Sequence, residues 1–463
     1  MLRCIYRRLQ IVTQKIISHA SDFNICRFIV FPLILAQLNF DINLMKVFIK
    51  NATILCPAYT FHGKNKDIFI DKGIISKIGN NLKVNANKTI DVKGLHVSVG
   101  WMDCFANFAD PGEEYKETLE SGANAASAGG FTDVMLIPNT QPAVYNKSQV
   151  EYLKEKSKSL IVNIHPIGAV TKNAEGKELS EMFDMKNSGA IAFSDGINPI
   201  QSSGVLQKAL EYILAVDGTI IQLPDDKTIG TYGLMNEGKI STRLGLQGKP
   251  ALSEELMIAR DIEPARYTNS KIHFTGISTQ KSLELIAAAK REKLKVSCSA
   301  TPYHLFFCED DLDDYDSNLK VNPPLRTKKD RDALRKGVKN GIIDFIASHH
   351  QPQDWDHKVC EFQYAKNGME TLESVFGAAI ACGISAERFI EMQTENIRNV
   401  FNLPTSAIAE GEKASLSLFL PGEEFIFEEK DILSKSKNNA FTGKKLKGKV
   451  IGIINKDGLF LNK

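Results

Sequence analysis

The chain has 463 residues, with 57 basic and 55 acidic side chains and a formal net charge of +2. This near balance gives no reason to expect a nucleic-acid partner. Hydrophobic residues make up 43% of the chain, which is enough for a buried core, and charged residues make up an ordinary 24%. The length indicates one large domain with an accessory domain, or two to three ordinary domains.

The first 44 residues differ in character from the rest of the chain. Arg3, Arg7 and Arg8 precede an apolar run at 28–38, which is too short to cross a bilayer, so we expect no membrane partner. No small-residue cleavage site of a signal peptide is evident. We interpret residues 1–44 as an extension outside the mature fold, with Met45 as the true start. An amphipathic presequence is the alternative.

The eight cysteines are scattered along the chain and form no Cys-x-x-Cys pair. Scattered thiols in a large chain are typical of reduced, intracellular proteins rather than of a disulfide framework. We therefore expect a cytoplasmic location.

Short strand patterns occupy both ends of the remaining chain. They lie within 47–91 and at 414–420, 450–455 and 459–461. The turn Asp71-Lys72-Gly73 between two apolar runs predicts a β-hairpin. Strands at both ends that flank a long middle predict one small β domain, built from 45–97 and 396–463.

The middle of the chain, 98–395, alternates strand and helix patterns. The predicted strands are 97–103, 133–138, 161–168, 190–194, 218–223, 271–276, 295–300 and 342–348, and helical patterns include 114–128, 203–216, 254–267 and 280–292. Repeated β-α units imply parallel strands with right-handed crossovers. Eight such strands predict an α/β fold of the (β/α)₈ TIM-barrel type, with active-site positions at the carboxyl ends of the strands. An open doubly wound sheet is the alternative, although no Gly-x-Gly-x-x-Gly loop supports it.

Several motifs follow these predicted strands. They are the run from Val99 to Gly112 (VGWMDCFANFADPG), Pro138 to Pro142 (PNTQP), Asn322 to Arg326 (NPPLR) and Ser434 to Gly443 (SKSKNNAFTG). Together they resemble the dihydroorotase family of cyclic amidohydrolases, and the resemblance extends from about Met45 to the end of the chain. It implies a barrel of the metal-dependent hydrolase type.

The resemblance also implies a metal centre at the strand ends, where this chain departs from the family. The family's metal-ligand positions fall on Phe105, Asn107, Asp195, Leu223, Gly276 and His349. Zinc needs nitrogen, oxygen or sulfur donors, so of this set we expect only Asp195 to bind a metal still. The catalytic aspartate of the family falls on His349, its substrate-binding arginine on Ala109 and its substrate-binding histidine on Gln353. We therefore predict no catalytic residue and no cofactor, with zinc as the cofactor if the site is functional after all.

Histidines near the last two predicted strands raise the alternative of a repurposed metal site. They are His304, His349 and His350, with Cys298 close in sequence. Adjacent residues on a strand point to opposite faces, so His349 and His350 do not easily serve one ion. We expect all three to be hydrogen-bonded or packing residues.

Three functions stay open on the sequence. The first is a catalytically inactive, dihydroorotase-like protein that acts as a structural or regulatory partner of aspartate transcarbamoylase, or that self-associates. This is reasonable because a barrel keeps its fold through strand packing when its site is lost. The second is an active cyclic amidohydrolase that converts dihydroorotate to carbamoyl aspartate with an atypical site. The third is a binder of a pyrimidine-like ligand, held by the amides of Asn139, Gln222 and Gln353, which offer both donors and acceptors.

Overall fold

The computed structural model describes residues 45–57, 59–312 and 314–463. The predictions for residues 1–44 lie outside this range. Within it, none of the helices is both long enough and apolar enough to cross a membrane. The cysteines in this part of the chain are free thiols, at Cys56, Cys104, Cys298, Cys308, Cys360 and Cys382.

The strands are, in chain order, β1 (Lys46–Ile54), β2 (Asn65–Asp71), β3 (Ile74–Gly79), β4 (Lys88–Ile90), β5 (His96–Val99), β6 (Trp101–Ala106), β7 (Phe131–Leu136), β8 (Asn163–Gly168), β9 (Ala192–Phe193), β10 (Thr219–Gln222), β11 (Met235–Asn236), β12 (Gly248–Lys249), β13 (Lys271–Phe274), β14 (Val296–Ala300), β15 (Phe345–Ile346), β16 (Ser415–Ile426), β17 (Lys445–Asn455) and β18 (Gly458–Leu461).

The α-helices are α1 (Leu119–Ala128), α2 (Lys147–Lys156), α3 (Met182–Asn187), α4 (Ser203–Ile213), α5 (Lys239–Leu244), α6 (Leu252–Thr268), α7 (Gln280–Arg291), α8 (Pro302–Phe306), α9 (Lys328–Lys339), α10 (Trp355–Lys358), α11 (Val375–Ala381), α12 (Ala386–Glu391) and α13 (Ile397–Val400). Side chains cap several of their first turns. For example, the Thr118 hydroxyl accepts a hydrogen bond from the Ser121 N–H before α1, and Thr279 does the same for Ser282 before α7.

Eight of the strands in the described chain form a parallel sheet, in the order β15–β14–β13–β10–β9–β8–β7–β6. The two edges of this sheet approach each other where Ala106 pairs with His350, and the Asn107 N–H donates to the His350 carbonyl at 2.8 Å. Helices connect the strands, so the predicted (β/α)₈ barrel is confirmed.

The prediction of one strand over 97–103 is wrong. The chain leaves β5 at Val99 and enters the barrel at Trp101, so this apolar run contributes to two different sheets. Gly100 lies at the junction, where a Cβ atom would be only 2.1 Å from the Thr132 hydroxyl and 2.6 Å from the Ser415 hydroxyl. Only glycine fits this close approach of the two sheets.

Strands from both ends of the described chain share the second sheet, in the order β18–β17–β16–β5–β1–β2–β3, with β4 beside β1. Strand β16 pairs antiparallel with β5, with Leu416 opposite Val99 and Leu418 opposite Val97. The hairpin predicted at 71–73 is confirmed, because β2 and β3 pair antiparallel on either side of it. The domain boundaries at 97/98 and 395/396 stay a prediction.

Trp101 is a central packing residue where the barrel meets the second sheet. Its side chain is fully buried. The ring centroid lies 4.8 Å from that of Phe376, 5.0 Å from that of Phe389 and 5.3 Å from that of Phe419 on β16. The indole N–H donates to the Ser98 hydroxyl at 2.8 Å, so its polar atom is also satisfied. The apolar area and the hydrogen bond together make this side chain a strong contributor to stability.

We predict that Trp101→Ala lowers the free energy of unfolding by about 3–5 kcal/mol, since it leaves a large cavity among aromatic rings. Urea unfolding followed by circular dichroism measures this loss. Trp355 is the matched control: it is 75% exposed, so Trp355→Ala should change stability by no more than about 0.5 kcal/mol. Equal losses in the two variants would contradict the packing role of Trp101.

Candidate functional site

Four residues from separate strand ends meet at the mouth of the barrel, where active sites form in this fold. The rings of Phe105 and His349 are stacked, with centroids 4.4 Å apart and an interplanar angle of 26°. A Cβ atom at Gly276 would lie 2.5 Å from His349 Cε1 and 3.3 Å from Leu223 Cδ1. The absence of a side chain at Gly276 therefore makes room for His349. These four are positions that the resemblance assigns to metal binding, and here they pack against one another.

His349 is held in this place by a chain of hydrogen bonds. Its Nε2 lies 2.7 Å from the Thr275 hydroxyl, to which the Ser299 hydroxyl donates at 3.0 Å. Because Thr275 accepts from Ser299, its own proton is free to be donated to His349 Nε2. Burial, together with the charge of nearby His304, lowers the pKa of His349 to about 3. The ring is therefore neutral at physiological pH.

Asp195 and Asn139 tie together the loops that follow β7, β8 and β9. The Asp195 carboxylate accepts hydrogen bonds from the Thr171 N–H at 2.9 Å and from the Thr171 hydroxyl at 2.5 Å. Burial raises the pKa of Asp195 to about 6 in spite of these bonds. Asn139 donates to the Asp195 carbonyl at 3.1 Å and accepts from the Ile197 N–H at 2.9 Å. Both side chains are thus engaged within the protein, and a ligand role for either stays a prediction.

Gln222 and Gln353 also make contacts within the protein. The Gln222 amide donates to Asp261 Oδ2 at 3.0 Å, which directs it towards helix α6. Gln353 donates to the Asn367 carbonyl at 2.9 Å, and its Oε1 atom is buried with no hydrogen-bond partner in the described part of the chain. Gln222 is further engaged with the backbone of Ile200, through both its oxygen and its nitrogen. A ligand role for Gln222 or Gln353 stays a prediction.

Asn107 supports the local backbone. Its Oδ1 atom accepts the Ala109 N–H at 2.8 Å, and Ala109 has a φ of 55°. An Asx-type bond of this kind stabilises a tight turn. Asn107 is buried, with only 7% of its surface exposed. Its side-chain amide therefore stabilises the turn after β6.

A cavity of about 300 Å³ opens beside the filled mouth. Lys249 lies in its wall and donates to Asp225 Oδ2 at 2.7 Å and to Asn322 Oδ1 at 2.9 Å. The second oxygen of Asp225 is buried and makes no hydrogen bond to any described residue. Sequence reasoning missed this trio, because its members come from three distant segments and no local motif joins them.

A second polar group lies behind the mouth. Polar atoms of His350, Glu370 and Glu373 lie within 4.8 Å of one another. His350 Nδ1 accepts the Thr371 N–H at 3.1 Å, so the neutral ring carries its proton on Nε2. His350 contacts Glu117 and Phe108, whereas His349 contacts Thr275 and Phe105. Of the three, the sequence singled out only His350, in the alternative of a repurposed site with His304 and His349, since Glu370 and Glu373 belong to no recognised motif.

Comparison with known proteins shows which family the chain belongs to. A family profile described as dihydro-orotase-like matches residues 96–282. The dihydroorotase of Carboxydothermus hydrogenoformans is 40% identical over 391 residues, which cover 83% of this chain and 91% of that protein. The chain belongs to the dihydroorotase family. A second dihydroorotase, from Aquifex aeolicus, is 38% identical over 426 residues and matches along its whole length, with 91% of this chain covered.

Solved structures agree with this dihydroorotase-family assignment at the level of the fold. The L-hydantoinase (dihydropyrimidinase) of Arthrobacter aurescens superposes with a TM-score of 0.79 at 21% identity, covering 90% of this chain and 96% of that one. The family resemblance stated from sequence is confirmed. The dihydroorotase family is typically metal-dependent. The expectation that this chain has no cofactor is therefore not supported.

The buried His349 generates a pH-dependence prediction. Its pKa is about 3 in the folded protein, whereas an unfolded histidine titrates near pH 6.5. Between these values the unfolded chain binds more protons, so stability is complete above about pH 6.5 and is lost as the pH falls. From pH 7 to pH 5 this one group should lower the free energy of unfolding by about 2 kcal/mol. His349→Gln should remove that share of the loss, as measured by urea unfolding at both pH values.

The control for this prediction is His62→Gln, which replaces an exposed histidine and should retain the full loss between pH 7 and pH 5. If His349→Gln also retained it, the imidazole would have to be accessible to protons in the folded protein. That result would contradict a filled barrel mouth.

Proposed function

We propose that this chain is a catalytically inactive member of the dihydroorotase family. The observation that carries the proposal is the stack of Phe105 on His349, which occupies positions that the resemblance assigns to a metal ligand and to the catalytic aspartate. Metal-assisted hydrolysis needs an ion to activate water. Phe105, Leu223 and Gly276 offer no donor to such an ion, so the two-metal site implied by the resemblance does not fit these residues.

We propose further that the protein serves pyrimidine biosynthesis as a structural or regulatory partner of aspartate transcarbamoylase. The support is a set of exposed apolar side chains within ten residues of one another on the segment that follows β15, here called the strip. It consists of Trp355, Val359 and Tyr364, which are 75%, 58% and 68% exposed. Aromatic side chains are enriched in protein interfaces, and clustered exposed apolar residues often mark such a surface. A barrel that keeps its fold can retain such a surface after its chemistry is lost.

The test of inactivity is an assay of the purified full chain for hydrolysis of dihydroorotate with added zinc. We expect no turnover above the buffer rate, because Phe105, Leu223 and Gly276 offer no donor and Asp195 alone is too few ligands to hold an activating ion. The Aquifex aeolicus relative, assayed in parallel, is the positive control. Turnover that disappears in Asp195→Asn would contradict the proposal and support an active hydrolase with an atypical site. Thermal stabilisation by orotate without turnover would instead favour the ligand-binding alternative.

The test of the partner is size-exclusion chromatography of the full chain mixed with aspartate transcarbamoylase from the same source. We expect the two to co-elute, and Trp355→Ala to weaken the measured affinity at least about tenfold, since aromatic anchors carry much of the binding energy. Tyr267→Ala is the matched control, because Tyr267 is 77% exposed on α6, outside the strip. Failure to co-elute, or equal effects of the two variants, would contradict the proposed surface, and self-association through the strip would replace it.

A further inference from the structure

We propose that one proton shared between Glu370 and Glu373 holds residues 433–439 against the barrel, and that this segment opens when the proton is lost as the pH rises. Residues 433–439, here called the loop segment, lie between β16 and β17. The proposed device is a pH-sensitive contact away from the barrel mouth, and it does not rest on the proposed function.

Two buried glutamates bind the two ends of the loop segment. Glu373 Oε1 accepts the N–H groups of Leu433 and Ser434 at 2.9 and 3.0 Å. Glu370 Oε1 accepts a hydrogen bond from the Asn439 side chain. The two glutamates are 8% and 0% exposed, respectively. The attachment of the loop segment therefore depends on the position and the charge of these two side chains.

The two glutamates also bind each other. Polar atoms of Glu370 and Glu373 lie within 4.8 Å, and their carboxyl groups are hydrogen-bonded together. In the described residues, Glu370 Oε2 and Glu373 Oε2 are buried and find no other hydrogen-bond partner. Two ionised carboxylates can only accept hydrogen bonds, so the bond between them requires a proton on one of the two. Close buried carboxylates share a proton in this way because two adjacent negative charges repel.

A third buried carboxylate adds to this repulsion. Glu117 accepts the Lys435 N–H at 3.1 Å and the Ser434 hydroxyl, so it binds the same loop segment. Its Oε2 atom lies 3.4 Å from His350 Nε2. Loss of the shared proton of Glu370 would leave three buried negative charges beside one imidazole, and buried charges without partners are strongly destabilising.

The lysines of the loop segment do not neutralise these carboxylates. Lys435 Nζ donates to the Glu114 carbonyl at 2.6 Å, and Lys437 Nζ donates to the Ile432 carbonyl. Glu373 also lines a groove of about 730 Å³ on the C-terminal sheet, which gives the pair a route to solvent. The charged side chains in that groove are engaged with other groups; they are Glu428, Lys430, Asp431 and Lys449.

The direction of the pH effect follows from the two states of the pair. Burial, and then the charge of Glu373, raises the pKa of Glu370 well above its usual range. Once the loop segment opens, water reaches the pair, and a hydrated glutamate releases its proton near pH 4.3. Between these two pKa values the closed form keeps a proton that the open form loses. Opening therefore becomes easier as the pH rises.

Glu117 acts in the opposite direction and only at lower pH. Burial raises the pKa of Glu117, but the hydrogen bond and the charge of His350 outweigh burial and hold this pKa below its usual range. An open form would therefore take up a proton at Glu117 only below about pH 4.3. Above that pH the shared proton of Glu370 and Glu373 sets the response.

The experiment measures hydrogen exchange of the full chain at about pH 5, 6 and 7 by fragment-resolved mass spectrometry. We expect the protection of the Leu433 and Ser434 N–H groups, corrected for the intrinsic exchange rate, to fall about tenfold per pH unit, because opening releases one proton. Val134 on the barrel strand β7 is the internal reference. Its protection should not fall over the same range.

Glu370→Gln should remove this pH dependence. Its amide N–H donates to Glu373 at every pH and its oxygen can still accept from Asn439, so closure no longer needs a proton. Glu309→Gln is the matched control, because Glu309 is a buried glutamate that accepts from Asn236 away from the loop segment. This control should keep the tenfold fall. Should Glu370→Gln fail to fold, Glu373→Gln makes the reciprocal change and should also remove the pH dependence.

Protection of the loop segment that does not change with pH in the unaltered chain would overturn the proposal. An equal fall at Val134 would also overturn it, since the whole molecule would then be opening. A tenfold fall retained in Glu370→Gln or Glu373→Gln would show that another group releases the proton, with the same consequence. Catalytic inactivity is tested separately by hydrolysis of dihydroorotate, so either proposal can fail without the other.

Discussion

The stacked contact between Phe105 and His349 determines what the mouth of this barrel can contain. It depends on Gly276, because any side chain there would collide with the imidazole. An aromatic ring and a buried, neutral imidazole then occupy space that polar ligands and water would otherwise fill. The hydrogen bond that the Thr275 hydroxyl donates to His349 Nε2 satisfies this nitrogen without a metal ion. The packing of these side chains therefore restricts the chemistry at this end of the barrel, in addition to the loss of individual metal donors.

The polar groups around the mouth divide into two kinds. Asp195 is hydrogen-bonded to Thr171, and Gln222 is hydrogen-bonded to Asp261. These bonds hold loops and a helix against the barrel. By contrast, Asp225 Oδ1 and Gln353 Oε1 are buried and have no hydrogen-bond partner in the described part of the chain. Polar atoms of the first kind stabilise the fold, whereas those of the second kind have no partner that offsets their burial.

The barrel does not need a metal to close. Asp103 on the first barrel strand accepts the Ser348 N–H at 2.6 Å and the Ser348 hydroxyl at 2.7 Å, next to the last strand. The bridge between Ala106 and His350 continues this closure, and Trp101 anchors the other end of the same strand to the second sheet. These contacts are independent of the residues at the mouth. The fold can therefore remain intact while the mouth loses its donors, as the proposed function requires.

The sequence by itself determined the eight-stranded barrel, the hairpin at 71–73 and the membership of the dihydroorotase family, because local periodicity, turn residues and short motifs are all encoded over a few positions. It also showed that Phe105, Leu223 and Gly276 offer no metal donor, since donor chemistry belongs to the residue type. Only the tertiary structure decided that Gly276 makes room for His349, that the run at 97–103 divides between two sheets, and that His350 meets Glu370 and Glu373. Those outcomes depend on contacts between distant segments, which leave no local pattern in the chain.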